Sequence, residues 1–206
     1  MSRLLYKEMH SRENFTEIKY VSREVLKEIG DVQLWQEFQL GNEEAFAMIY
    51  KKNVSPLYNY GLKIVNDKEL VKDCIQDLFV EIWNNRTYLG KVISIRSYLY
   101  TCIRRKIISV TQKNRMKVSD TEKNAVLDSL YSFSEERSLI EKQNFEQQKR
   151  LLNVALTKLT NRQREVLHLK YIAQLSYNEI TQIMSLSKKG AYKLVDRALQ
   201  GLRKHM

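Results

Sequence analysis

The sequence predicts an all-α protein of two small helical domains, residues 31–113 and 146–206. A flexible acidic linker over 114–145 joins them, and an arm over 1–30 precedes them. Three observations carry this. Only six glycines and one proline punctuate 206 residues, and apolar side chains recur at the 3, 4, 7 and 8 spacing of a helical face in segment after segment. Charge is also segregated: within a total of +11, residues 1–90 carry −2, 91–118 carry +8, 119–148 carry −4 and 149–206 carry +9. Two basic blocks around an acidic one are the footprint of a protein that meets a polyanion at two places.

In the arm, Val21, Val25 and Ile29 step by four residues and predict a short helix. Leu34, Trp35 and Phe38 predict the next helix, Gly41 a break, and Ala45, Phe46, Met48, Ile49 and Tyr50 another helix. Pro56 marks a further helix start or a kink, since proline lacks the amide that an interior turn needs. After a turn at Asn66 and Asp67, the residues Val71, Cys74, Ile75, Leu78, Phe79 and Ile82 share one face for three turns. The opposite face carries Asp73, Gln76, Asp77, Val80 and Glu81. Its mixture of acids with one apolar residue suits a protein partner better than DNA.

Residues 88–117 bring aromatics and cations together without a single acid: Tyr88, Tyr98 and Tyr100 among Lys91, Arg96, Arg104, Arg105, Lys106, Lys113, Arg115 and Lys117. Rings beside cations suit single-stranded nucleic acid, because bases stack on the rings while phosphates are neutralised alongside. Tyr98 and Tyr100 are equally compatible with core positions. From 119 to about 137 apolar periodicity is lost and acids dominate, which reads as the linker.

The C-terminal stretch has a more specific grammar. Ser176 followed three residues later by Glu179 is a capping box, and it opens a short helix that ends near Ser185. Ser187 caps a second helix, in which Ala191, Leu194, Val195, Ala198, Leu199 and Leu202 form an apolar stripe. Lys188, Lys189, Tyr192, Lys193, Arg197 and Gln200 lie on the other face. Two short helices, a tight turn and cations at the exposed start of the second helix form a helix-turn-helix suited to the DNA major groove.

Other chemistry finds no support. His10, His168 and His205 stand singly, no cysteine pair has metal-ligand spacing, and no glycine-rich phosphate loop is present. Asp73 and Asp77 lie one turn apart, and a solvated face accounts for them. No metal and no cofactor is expected, and the protein is not expected to be an enzyme. Cys74 and Cys102 fall on apolar stripes, as buried thiols of a reducing compartment do. No apolar run approaches the ~20 residues of a membrane span, and the start lacks a signal peptide's apolar core. The expected location is the cytoplasm.

With these residues in view, the chain resembles bacterial RNA polymerase sigma factors of the extracytoplasmic-function, or group IV, type of the sigma-70 family. The resemblance spans about 31–204. Val71-Lys-Asp-Cys-Ile-Gln-Asp-Leu-Phe-Val-Glu-Ile-Trp83 is similar to the helix that docks on the clamp of the largest polymerase subunit. It implies polymerase-binding roles for Gln76, Asp77, Val80 and Glu81. Ile95-Arg-Ser-Tyr-Leu-Tyr100 resembles the opening of the helix that faces the −10 element, where Tyr98, Tyr100, Arg104, Arg105 and Lys106 would contact DNA. Arg162-Gln-Arg-Glu-Val166, Leu175-Ser-Tyr-Asn-Glu-Ile180 and Asp196-Arg-Ala198 resemble the −35-reading domain, with Arg162, Ser176, Lys188, Lys189, Tyr192, Lys193 and Arg197 as its DNA-binding set. The chain departs from the family pattern at Arg105, where Asn is usual, at Ser185, where a turn glycine is usual, and at Gly190-Ala191, where Thr-Val is typical.

The resemblance implies a factor that binds core RNA polymerase and directs promoter-specific initiation. Its partners would be core polymerase, promoter DNA and an anti-sigma factor. Two alternatives belong to other classes: a stand-alone helix-turn-helix regulator that binds DNA without polymerase, and a degenerate sigma-like interaction protein.

Overall fold

The computed structural model describes residues 23–117 and 139–206, with side chains over 24–114 and 147–206. Every regular element among them is helical. The N-terminal half contains α1 (Arg23–Glu28), α2 (Asp31–Gln39), α3 (Glu43–Ile64), α4 (Lys68–Asn84), a 3₁₀ turn (Arg86–Tyr88) and α5 (Ile95–Lys117). The C-terminal half contains α6 (Leu139–Lys158), α7 (Asn161–Leu167), a π turn (His168–Ile172), α8 (Tyr177–Met184) and α9 (Lys188–His205). The central part of the expected linker lies outside the described residues. Its flanks are helical, because α5 continues to Lys117 and α6 begins at Leu139.

The helices begin where the sequence offers side-chain acceptors. Asn42 accepts from the Ala45 amide at 3.2 Å, and Asp67 from the Leu70 amide at 3.0 Å, so each replaces a partner that the first helical turn lacks. The start of α5 is capped from a distance. Asp31, at the head of α2, accepts from the Ile95 amide at 2.9 Å and so ties two helix starts together. Pro56 neither begins nor ends a helix, since α3 runs through it from Glu43 to Ile64.

The apolar stripe of α4 is buried as a unit: Val71, Cys74, Ile75, Leu78, Phe79 and Ile82 are all part of the core. An aromatic layer closes over it. Phe38 stacks on Phe46 at 5.8 Å, and Phe46 meets Trp83 at 4.9 Å and Phe79 at 6.1 Å. Trp35 donates its indole N–H to the Gly90 carbonyl at 3.1 Å, so the loop after α4 is held against α2. Burial of such side chains contributes roughly 1.5–3 kcal/mol each relative to exposure. Leu26 of α1 is 1% exposed, so this part of the arm belongs to the core. Gly61 lets α3 approach its neighbours. A Cβ there would lie 2.6 Å from Val71 Cγ1 and 3.1 Å from Ile107 Cδ1, which α4 and α5 supply.

In the C-terminal half α9 packs along α7 and α6, with Ala191, Val195 and Ala198 buried. Leu194, Leu199 and Leu202 pack against them, partly covered. The sequence stripe is therefore the packing face. Small residues at two of the three deepest positions let α9 lie close to its neighbours.

Candidate nucleic-acid and partner interfaces

The turn between α8 and α9 is short and sharply defined. Ser176 accepts from the Glu179 amide at 3.3 Å, while the Glu179 carboxylate accepts from the Ser176 amide at 2.8 Å and its hydroxyl at 2.7 Å. At the other end of α8, Ser185 takes the left-handed conformation with φ 52°, and the Leu186 amide donates to the Thr181 carbonyl at 3.0 Å. That conformation costs a residue with a side chain about 1–2 kcal/mol, and explains why glycine suits this position. Ser187 then caps α9, accepting from the Gly190 amide at 3.1 Å.

All seven residues expected to meet −35 DNA are exposed: Arg162, Ser176, Lys188, Lys189, Tyr192, Lys193 and Arg197. Lys188 and Lys189 stand in the first turn of α9, which contains no acid. Cations there oppose the helix dipole, so the arrangement suits an external anion better than the isolated helix. Tyr192 is 47% exposed, and its ring stacks on Tyr177 of α8 at 3.9 Å. Lys170 Nζ lies 4.6 Å from the centre of the Tyr177 ring. Lys170 and Tyr177 thus brace the exposed ring of Tyr192. Sequence pattern does not single them out, because the three residues lie on different elements with no shared spacing.

In the N-terminal half Gln76, Asp77, Val80 and Glu81 form one exposed face of α4. Val80 is 52% exposed and borders an open groove of about 730 Å³, also lined by Phe46, Tyr50, Tyr58, Phe79 and Trp83. An apolar trough of this kind, with Lys72 its charged lining residue, suits the apolar face of an amphipathic helix of a protein partner.

The −10 set is distributed differently from the sequence expectation. Arg105 is exposed. Lys106, expected to support capture of the −10 strand, is turned to α4, where it meets Glu81 at 2.6 Å and Asp77 at 3.6 Å and so is paired in this arrangement with two acids of the neighbouring face. Tyr98 is half-buried, edge-on to Trp35 at 5.1 Å, and burial pushes its hydroxyl pKa up. Tyr100 is 1% exposed, packed 4.7 Å from Tyr60. This corrects its reading as a ring open to a base in this arrangement. Arg104 bonds to Glu165 at 2.7 Å. The physical reason is common to all four: helices surround α5 on several sides, and each of these side chains meets a different one, which the periodicity of α5 alone does not disclose.

Glu165 belongs to α7, so the Arg104 bond crosses between the halves. Tyr60 of α3 also donates to Glu165 Oε1, at 2.8 Å, and Arg96 of α5 donates to the Ala173 carbonyl at 2.9 Å. His168 lies in the same seam, 4% exposed and 5.8 Å from the Tyr60 ring. Neither of its ring nitrogens has a hydrogen-bond partner among the described residues. Burial first, and the charge of Lys63 second, lower its pKa to about 4.

This sets a direction for acid sensitivity. Unfolded, His168 would titrate near 6.5; folded, it resists protonation until about pH 4. The unfolded chain therefore binds the extra proton as pH falls from about 6.5, and stability is lost progressively down to about 4, by at most ~3 kcal/mol. Urea midpoints at pH 7.5 and pH 5 should show the loss, and His168→Phe should reduce it. An identical pH dependence in that variant would exclude His168 as its source.

The elements above define an all-helical helix-turn-helix protein, with that motif in one half and an exposed helix face beside an apolar groove in the other. The profile of Sigma-70 region 2 matches residues 49–116, and that of Sigma-70, region 4 matches residues 155–204. The chain belongs to the sigma-70 family, as a factor of the extracytoplasmic-function type, and it acts in transcription initiation. It is 23% identical over 181 residues to the ECF RNA polymerase sigma factor SigK of Mycobacterium ulcerans (strain Agy99), across 82% of this chain and 90% of that protein. It is 27% identical over 159 residues to the RNA polymerase sigma factor YlaC of Bacillus subtilis (strain 168), across 77% and 90%. Among solved structures, the sigma factor RpoE of Bartonella quintana, in complex with the anti-sigma factor NepR, shares the fold with a TM-score of 0.58. The identity is 18%, across 77% of this chain and 94% of that one. The family is not an enzyme class, and no helix among the described residues is long and apolar enough to cross a membrane.

Proposed function

We propose that this sigma factor, acting in the cytoplasm, docks on the polymerase clamp through Gln76, Val80 and the acids Asp77 and Glu81. It reads −35 duplex through α9. The observation that carries the reading is the first turn of α9, where Lys188 and Lys189 project beside a capped, acid-free helix start. Lys188, Lys189, Tyr192, Lys193 and Arg197 face the groove, while Arg162 and Ser176 meet phosphates from the flanking helices. Arg104 and Arg105 of α5 hold the melted −10 strand, with Tyr98 at its edge. The apolar groove beside Val80 also suits an anti-sigma factor as a competing partner.

Selection of DNA from a random pool by core polymerase, with and without the protein, tests the promoter reading. Enrichment of paired −35 and −10 motifs should require both components, and run-off transcripts should start downstream of them. Motifs enriched by the protein alone would favour a stand-alone regulator. Polymerase binding without any enriched motif would favour the degenerate interaction protein.

A further inference from the structure

We propose that Tyr192 reads the 5-methyl group of a thymine in the −35 duplex, and that Tyr177 and Lys170 are positioning residues that hold its ring for that contact. The inference rests on the reading of α9 as the −35 helix and names the chemical group that one of its side chains meets. Tyr192 is 47% exposed and stacks on Tyr177 at 3.9 Å between ring centres, with 28° between the ring planes. Lys170 Nζ stands 4.6 Å from the centre of the Tyr177 ring. A ring stacked that closely leaves no room for an ammonium on the same face, so Tyr177 is clasped between Tyr192 and Lys170. Three elements meet there: the π turn supplies Lys170, the first residue of α8 is Tyr177, and α9 supplies Tyr192.

The chemistry of the exposed face of α9 selects the contact. Lys188, Lys189, Lys193 and Arg197 are cations, which pair with phosphates and with the acceptor atoms of guanine. Tyr192 lies among them, one turn beyond Lys188, and is the member of that set with an aromatic ring. Base edges in the major groove present donors, acceptors and one distinctive apolar group, the thymine 5-methyl. The ring finds its match in that methyl, as the cations find theirs in the polar atoms.

Stacking decides whether such a contact discriminates. A tyrosine alone on a helix surface samples several rotamers, and fixing one of them on binding offsets what a single methyl contact contributes. Tyr177 removes that freedom in the free protein, because one face of the Tyr192 ring is already covered and its swing toward α8 is blocked. Lys170 adds the attraction of a cation for the opposite face of Tyr177. Tyr177 is itself half-buried against the core, in the helix that the Ser176–Glu179 box opens. The platform is therefore rigid, and the rest of the Tyr192 ring stays open.

The test uses holoenzyme reconstituted from core polymerase and the full chain, on the −35 element that it selects. Each thymine of that element is replaced in turn by deoxyuridine, which lacks only the 5-methyl group. For the wild type one replacement should weaken binding about fourfold, as the transfer free energy of one methyl group implies, and the others should not. Tyr192→Ala should show no methyl effect at that position, while Tyr192→Phe should retain it. Tyr177→Ala should bring the effect below about twofold through lost preorganisation and leave preference at the other base pairs unchanged. Tyr177→Phe should restore it, and Lys170→Gln should lower it by less than Tyr177→Ala does. A Tyr177 that merely supported the fold would instead weaken binding to both duplexes equally, which overturns its positioning role. Circular dichroism reports folding; if Tyr177→Ala does not fold, Tyr177→Leu, which keeps apolar cover without a flat ring, decides by the same criterion. A selected −35 element that tolerates deoxyuridine at every thymine, or that has no thymine in either strand, overturns the methyl contact, and so does a methyl effect that persists in Tyr192→Ala. A wild-type holoenzyme with no preference for any −35 sequence overturns instead the reading of α9 on which the contact rests.

Discussion

Val80→Glu is expected to cut binding to core polymerase by at least about tenfold while leaving the helical domain folded. Val80 is 52% exposed on α4, at the rim of the groove lined by Phe79 and Trp83, so the substitution disturbs no core contact. In a docked complex the new carboxylate would be taken out of water without a partner, which costs several kcal/mol. The neighbouring Asp77 and Glu81 also repel it. Competition for core polymerase against the wild-type protein measures the effect, and equal competition would remove this face from the interface. Charge reversal at Asp77 and Glu81 is a less clean probe, because Lys106 pairs with both and would be left facing two like charges.

The second large effect is expected from replacing Lys188, Lys189 and Lys193 together by alanine. Each cation that grips a phosphate contributes about 0.9 to the slope of log affinity against log salt, so the triple variant should bind −35 duplex roughly a hundredfold more weakly near 0.15 M salt. Any of the three that reaches a base edge should also relax sequence preference at one position. Stability should move the opposite way. Removing two positive charges from the first turn of α9 relieves repulsion with the helix dipole, by about 0.3–1 kcal/mol each. The measurements are promoter binding by the reconstituted holoenzyme at two salt concentrations and thermal melting of the free protein. A variant as tight as the wild type, with an unchanged salt slope, would sink the assignment of α9 to the groove. A variant that binds weakly and melts lower would point to misfolding instead.

Local pattern suffices wherever a feature is built from residues close in the chain. The α4 stripe, the Ser176–Glu179 box, the Ser187 cap and the α9 packing face all follow from spacings of three and four, because a helix places such residues on one side whatever surrounds it. The exposed faces Gln76–Glu81 and Lys188–Arg197 follow from the same rule, since a residue opposite a buried stripe is left outside. Family resemblance supplies the roles of those faces, which periodicity does not contain. Pro56 shows where local pattern misleads. A proline lowers helix stability locally, but α3 is held by Ile49, Leu57 and Tyr60 on its buried side, and tertiary packing outweighs that cost.

Only the tertiary structure decides what the basic aromatic segment of α5 does at rest. On the sequence, Tyr98, Tyr100, Arg104, Arg105 and Lys106 are neighbours of similar character. In the fold Tyr98 leans on Trp35, Tyr100 lies under Tyr60, Arg104 reaches Glu165, Lys106 reaches Glu81, and Arg105 stays open. The partners lie as far as 63 residues away in Tyr98's case and 61 in Arg104's, and no periodicity within one helix encodes separations of that kind. The Asp31 cap on α5, 64 residues upstream, and the Tyr60 bond to Glu165, across 105 residues, have the same origin. Short-range spacing determines which side of each helix is apolar; which charged groups then meet is settled only when the helices are packed and largely buried charged groups such as Arg104 and Glu165 are brought within reach of each other.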